Sequence, residues 1–459
     1  MNNKSLFNTT IVGVSTALAQ GAISIVRVSG DEAITIVNKI FKEKDLTKVK
    51  SHTITYGHIY NPRTGSIIDE VLVSIFRSPR SYTTEDVVEI NCHGGILVTN
   101  TILNLVVENG AKLALAGEFT KRAFLNGRID LTKAEAVMDV ISAQNKKALE
   151  LANHSLKGDI KKMVEELQAA LLDIIANIAV NIDYPEYDDV EEVKSKEIKP
   201  KLEDIYVKIE EVINNAENVF LIKNGIDTVI IGKPNVGKSS LLNALIQEKK
   251  AIVTNIPGTT RDVIESKLNI GSITINLIDT AGVRDAKDEV EKIGVDLTKK
   301  KLDVASLVLL VFDGGVPLSK EDLELIKLVK EKNKKYIYII NKNDLPQKID
   351  ETLIPNAIKI SALQEEGIKE LEDSIYKIVF TNDFDPGNIA YISNARQLEC
   401  MKTAKKALEE ALVACKDDTA IDVIDLFLQE AWHSLGEILG DVSDDSLLNE
   451  LFSKFCLGK

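Results

Sequence analysis

Thr228-Val229-Ile230-Ile231-Gly232-Lys233-Pro234-Asn235-Val236-Gly237-Lys238-Ser239 is an apolar run that ends in GxxxxGK[ST] and opens onto a helical pattern over residues 240–247. Strand, glycine-rich turn and helix must follow in this order, because N–H groups of the turn and of the helix N-terminus have to face one phosphate chain together. On this reading Asn235, Val236, Gly237, Lys238, Ser239 and Ser240 line the phosphates. Lys238 neutralises the β and γ groups, and the Ser239 hydroxyl takes a Mg2+ coordination position.

Three further elements follow in sequence order. Thr254-Asn255-Ile256-Pro257-Gly258-Thr259-Thr260 is expected along the nucleotide, with Thr260 placed to ligate Mg2+. Asp279-Thr280-Ala281-Gly282 ends an apolar run, so Asp279 can reach Mg2+ through water and the Gly282 N–H can meet the γ-phosphate. Asn341-Lys342-Asn343-Asp344 follows another apolar run, and the Asp344 carboxylate can accept from guanine N1–H and N2–H2. Adenine lacks those donors and would leave a buried carboxylate unpaired, so the motif selects GTP over ATP. Ser361-Ala362-Leu363 offers a backbone contact to guanine O6. Catalysis needs another source, since Val283 stands where Ras-like proteins place a water-orienting glutamine. Glu291 is the candidate for the water, and Arg261 and Arg284 are candidates for electrostatic help.

Outward from this site, apolar runs at residues 228–231, 274–278, 306–312, 336–340 and 357–360 alternate with helical patterns, which implies a doubly wound α/β domain over residues 221–381. Residues 1–122 alternate in short runs (22–28, 53–60, 70–76 and 86–91) with turn signals at Asn61-Pro62 and Gly94-Gly95, the pattern of a small α+β domain. From Leu156 to Ile178 apolar residues recur at i, i+3, i+4 and i+7, which predicts a long amphipathic helix, and a second helical pattern starts at Ile198. Residues 123–220 and 382–459 thus form two halves of a helical domain with the α/β unit inserted between them.

At 459 residues, with 44% hydrophobic and 27% charged residues, the chain reads as two to four ordinary globular domains. Its apolar stretches are too short for a bilayer span, and the N-terminus lacks the features of an export signal, so the cytoplasm is expected. Four cysteines without CxxC spacing point to neither a disulfide framework nor a zinc site. The net charge of −14 argues against broad charge-driven nucleic-acid binding, although residues 1–122 hold 13 Lys+Arg against 11 Asp+Glu. Any RNA contact must use local patches or a partner.

The nucleotide motifs, together with residues 21–30, Phe124-Leu125-Asn126-Gly127-Arg128-Ile129-Asp130-Leu131 and the terminal Phe455-Cys456-Leu457-Gly458-Lys459, resemble the bacterial MnmE (TrmE) family of tRNA modification GTPases over the whole chain. The resemblance implies an N-terminal folate-binding and dimerising domain, a discontinuous helical domain and an inserted G domain. It implies K+-stimulated hydrolysis, with Asn235, Thr254, Ile256 and Thr259 as K+ ligands and Glu291 acting on water. A 5-formyl-tetrahydrofolate site maps by motif onto Arg27, Glu89, Arg128 and Lys459, with the thiol of Cys456 beside it. Chemically, the arginines suit the folate carboxylates and Glu89 can accept from a pterin N–H pair. The family implies a homodimer that works with the FAD-containing MnmG (GidA) on tRNA, forming the 5-aminomethyl or carboxymethylaminomethyl group of the wobble uridine. A ribosome-assembly GTPase and a purely regulatory switch share the central motifs, but the first calls for an RNA-binding module such as a KH domain, of which the helical C-terminus shows no sign. The second leaves the folate-like N-terminus and the terminal Cys-x-Gly-Lys unexplained.

Overall fold

The structure, a computed structural model, describes residues 9–183, 195–247, 266–270, 273–278, 302–379, 391–417, 419–441, 445–455 and 458. The chain divides into two compact units. One is built from residues 1–138, 164–172 and 429–459, the other from residues 139–163 and 173–428.

The first unit holds β1 (Ile11–Val14), β2 (Ile23–Ser29), β3 (Thr53–Tyr60), β4 (Ile67–Phe76), β5 (Val87–His93) and β6 (Lys112–Leu113) in one sheet ordered β3-β4-β5-β2-β1-β6. All pairings are antiparallel except β1 with β6. Alternation in β4 sends Val71, Val73 and Ile75 into a core with Val26, Val28 and Ile90. The helices Ala33–Ile40 and Ile96–Glu108 close that core with Ile36, Val37, Ile40, Ile102 and Val106. The opposite face keeps Ile54, Tyr56 and Leu72 exposed. Helix Glu118–Leu125 carries Arg122, whose guanidinium is fully buried against Glu85 at 3.1 Å, with further bonds to Glu118 and to the Thr9 carbonyl. Deleting either Arg122 or Glu85 alone would strand a buried charge at a cost of about 3–5 kcal/mol. Phe124, Leu131, Leu448, Phe452 and Phe455 form a separate small core, which ties helix Asp445–Ser453 and the C-terminus to this unit.

In the second unit β7 (Ile226–Ile231), β8 (Ser266–Ile270), β9 (Ile273–Leu277), β10 (Leu307–Asp313), β11 (Lys335–Asn341) and β12 (Ile358–Lys359) form a sheet ordered β12-β11-β10-β7-β9-β8. Only the edge pair β8–β9 is antiparallel. Because helices cover both faces, β10 is apolar at every position up to its last. Leu307, Leu309 and Val311 point to one core with Leu241, Leu245, Leu371 and Ile375, while Val308, Leu310 and Phe312 point to another with Leu302, Ile326 and Val329. Each such buried side chain contributes about 1.5–3 kcal/mol. The mixed α+β, helical and doubly wound α/β character is as the sequence predicts. The apolar periodicity of residues 156–178 differs in one respect. It spans two helices, Lys146–Lys157 and Asp159–Asp183, because Gly158 takes φ +98°, ends the first and lets the chain restart at once. The edge strand β8 and the short β1 and β6 carry too few residues to stand out as alternating runs.

No helix among the described residues is long and apolar enough to cross a membrane.

Candidate functional site

In the second unit the chain leaves β7 at Ile231, turns through residues 232–237 and enters helix Lys238–Gln247. The neighbours of β7 are β9 on one side and β10 on the other, so the turn lies where the strand order switches, at the carboxyl end of the sheet. Asn235 (φ +65°) and Gly237 (φ +94°) reverse the backbone there. A Cβ on Gly237 would sit 2.1 Å from Asn341 Nδ2, so only glycine fits this approach. Lys238 Nζ donates to the carbonyls of Gly232 (2.8 Å) and Lys233 (2.9 Å), which holds the ammonium over the loop. Ser239 and Ser240 occupy the first helical turn beside it, and Val236 is buried beneath. A concave run of N–H groups, a helix N-terminus and a fixed ammonium can hold a polyphosphate.

The base-side residues are tied to the same loop. Asn341 ends β11, is buried, and donates through Nδ2 to the Val236 carbonyl (2.9 Å) while its Oδ1 accepts from Ala362 N–H (3.0 Å). One side chain thus joins residues 236, 341 and 362. Ser361 Oγ donates to Asp344 Oδ1 at 2.7 Å and orients that carboxylate. Asp344 itself is exposed, so the expected buried carboxylate is corrected: the desolvation that discriminates guanine from adenine would come with the base. Lys342 (φ +65°) reaches Asp313 at the end of β10, its Nζ 2.5 Å from Oδ2. Burial pushes the Asp313 carboxyl up, but the bonds from Lys342 and the Gly315 N–H outweigh it and leave the group below the usual carboxylate range. Sequence reasoning missed Asp313, whose only signal was a carboxylate closing an apolar strand.

Thr254, Asn255, Ile256, Pro257, Gly258, Thr259, Thr260, Arg261, Asp279, Thr280, Ala281, Gly282, Val283, Arg284 and Glu291 lie outside the described residues, as do Cys456 and Lys459.

A second polar cluster is built in the first unit. Arg27 on β2 and Glu89 on β5 are direct cross-strand partners, and Arg27 Nε and Nη2 both lie 2.9 Å from Glu89 Oε1. Arg27 Nη1 donates to the Gly458 carbonyl (3.1 Å), which also accepts from Ser15 Oγ (3.1 Å). Gly458 is therefore held between Ser15, just past β1, and Arg27 on β2. Gly458 takes φ +89°, and a Cβ there would lie 2.1 Å from the Val14 carbonyl oxygen. Tyr82 and Phe119 flank Arg27, their ring centroids 5.4 and 5.6 Å from the guanidinium carbon. Arg128 lies 5.0 Å from the Tyr82 ring and donates to the Tyr82 carbonyl at 2.5 Å. Arg27, Glu89 and Arg128, remote in sequence, thus come together. The structure differs from expectation on Arg27, whose guanidinium is committed to Glu89 and to the tail, while Arg128 is the exposed one.

Comparison with known proteins identifies the family. Residues 10–128 match the family described as GTP-binding protein TrmE N-terminus, and residues 131–456 match the MnmE helical domain. The chain is 47% identical over 456 residues to a protein of Bacillus cytotoxicus named tRNA modification GTPase MnmE, covering 98% of this chain and 99% of that one. It is 48% identical over 456 residues to the protein of that name from Bacillus mycoides, with 98% and 99% covered. The counterpart from Geobacillus thermodenitrificans shares 47% over 459 residues, again over 98% and 99%. With two family matches that together take in nearly the whole sequence, and full-length relatives at this identity, this chain belongs to the MnmE (TrmE) family of tRNA modification GTPases.

Proposed function

We propose that this GTPase works on tRNA, as the homodimeric half of an assembly with an FAD-containing partner of the MnmG type. The assembly forms the 5-aminomethyl or carboxymethylaminomethyl group on wobble uridine with a folate one-carbon unit. The observation that carries the reading is the pairing, in one chain, of a loop-and-helix polyphosphate cradle with a second cluster suited to a pterin and its anionic tail. In the cradle, residues 235–240 would hold the phosphates of GTP, and Asn341, Lys342, Asp344, Ser361 and Ala362 the guanine. Ser239, Thr260 and Asp279 would take Mg2+, which neutralises charge on the phosphates. Asn235 stands exposed at the turn, and its side-chain carbonyl is of the hard-oxygen kind that would bind K+ together with Thr254, Ile256 and Thr259. Glu291 would orient the attacking water, with Arg261 as electrostatic help. In the second cluster Glu89 would accept from the pterin and Arg128 would pair with the tail, with Lys459 and the Cys456 thiol, close to Gly458 in sequence, as further members of the site. The exposed apolar residues Ile54, Tyr56 and Leu72 on the uncovered sheet face support a homodimer, and the net charge of −14 supports a partner that carries most of the RNA binding. The cytoplasm, where tRNA is modified, is the proposed location.

The test is nucleoside mass spectrometry of tRNA from cells that lack the protein, complemented with wild type or Asp279→Ala. Loss of the wobble 5-substituent restored only by wild type is expected, and an unchanged nucleoside profile overturns the reading. GTP turnover compared in KCl and NaCl at equal ionic strength tests the K+ assignment, which equal rates would sink.

A further inference from the structure

We propose that Tyr82 is the positioning residue of the second cluster: its ring fixes Arg128 beside the Arg27–Glu89 pair, so that one ligand uses the Glu89 carboxylate and the Arg128 guanidinium together. The inference rests on the folate reading above and deepens it. Arg27 and Arg128 lie 5.4 and 5.0 Å from the same ring centroid, both within cation–π range. Arg27 needs little help, because Glu89 and the Gly458 carbonyl already hold it. Arg128 is exposed, and its guanidinium's described contacts are the Tyr82 ring and the Tyr82 carbonyl. A long side chain without such support spreads over many rotamers, and freezing them on binding lowers affinity.

Tyr82 is itself held from several sides. Its hydroxyl shares a 2.8 Å hydrogen bond with Thr120 Oγ1 on helix Glu118–Leu125. The next residue, Thr83, accepts at its carbonyl from Asn126 Nδ2 (2.7 Å) and shares a bond with Ser29 Oγ (2.7 Å). Thr84 then takes φ +65°, a conformation that β-branched residues rarely adopt, and Glu85 anchors the far side by accepting from Ser29 Oγ and the buried Arg122. Strain of this kind persists only where surrounding contacts over-determine it, and it concentrates where a side chain must be aimed. Here the turn aims a half-buried ring between two cations, which a residue that merely fills the core would not require.

The test titrates 5-formyl-tetrahydrofolate, and separately a reduced pterin without the p-aminobenzoylglutamate tail, into the full-length wild type and the variants Tyr82→Phe, Tyr82→Leu and Arg128→Gln. Thermal unfolding and GTP turnover are read alongside, and Tyr82→Met replaces Tyr82→Leu if the latter does not fold. Tyr82→Phe is expected to bind the folate within about threefold of wild type, because it keeps the ring. Tyr82→Leu is expected to lose about tenfold for the folate and less than about twofold for the tail-less pterin, and combining it with Arg128→Gln should add little further loss. Folate affinity unchanged in Tyr82→Leu, or an equal loss for both probes, overturns the positioning role and leaves the folate reading standing. Wild type that binds neither probe overturns the folate reading, and this inference with it.

Discussion

The nucleotide cradle and the Arg27–Glu89–Gly458 cluster are assembled in opposite ways. The cradle uses backbone. Its residues come in short contiguous motifs at the ends of parallel strands, and Asn341 links the loop at residue 236 to the turn at residue 362. The cluster uses side chains drawn from residues 15, 27, 82, 89 and 128 together with the backbone carbonyl of Gly458, and no two of these residues are neighbours in sequence. Backbone sites tolerate little change at their glycines but leave strong sequence signatures. Side-chain sites leave almost none, and they depend on a sheet register and a docked terminus to exist.

Variants at each site sharpen this contrast. Lys238→Ala should have the largest effect, about 100-fold or more on GTP affinity in a filter-binding or fluorescence titration, because it removes a fixed charge from a phosphate cradle. A near-wild-type affinity would mean that the backbone alone holds the phosphates. Gly458→Ala should unseat the tail through its positive φ and the clash with Val14, lowering folate affinity about tenfold while GTP turnover stays at wild-type level. A parallel fall in turnover would show the two regions to be coupled.

Asp313→Asn should be milder, a several-fold rise in KM for GTP with kcat little changed, since Asp313 acts by holding Lys342. Its lowered folded pKa sets the sign of the pH dependence. The contribution is fully present above the ordinary carboxylate pKa of about 4 and is lost as pH falls through the depressed folded value, so Asp313→Asn should narrow the gap to wild type only in acid. Smallest is the pair of exposed His93 on β5 and mostly covered Asp69 on β4, with Nδ1 2.7 Å from Oδ1. The hydrogen bond and charge of Asp69 raise the imidazole pKa, so the stabilisation is present below about pH 6.5 and lost as pH rises through the raised folded value. Proton NMR titration should show His93 above the ordinary histidine value, and Asp69→Asn should return it there.

Local pattern determined the cradle and its sheet. β10 is apolar on consecutive positions because both its faces are covered, the glycine-rich turn must precede a helix, and a carboxylate follows β11 where the motif expects a base edge, so each statement follows from a few adjacent residues. The strands β3, β4 and β5 were legible for the same reason, a period of two with one face buried. The break at Gly158 was not, since the i, i+3, i+4 spacing runs on across it and only the backbone angle separates the two helices. Tertiary structure alone decided that Arg27 pairs with Glu89, that Tyr82 lies between two arginines, and that residue 458 returns to residue 15. Those contacts span up to 443 positions of chain, and their partners are selected by register, left-handed turns and burial, none of which a linear pattern encodes.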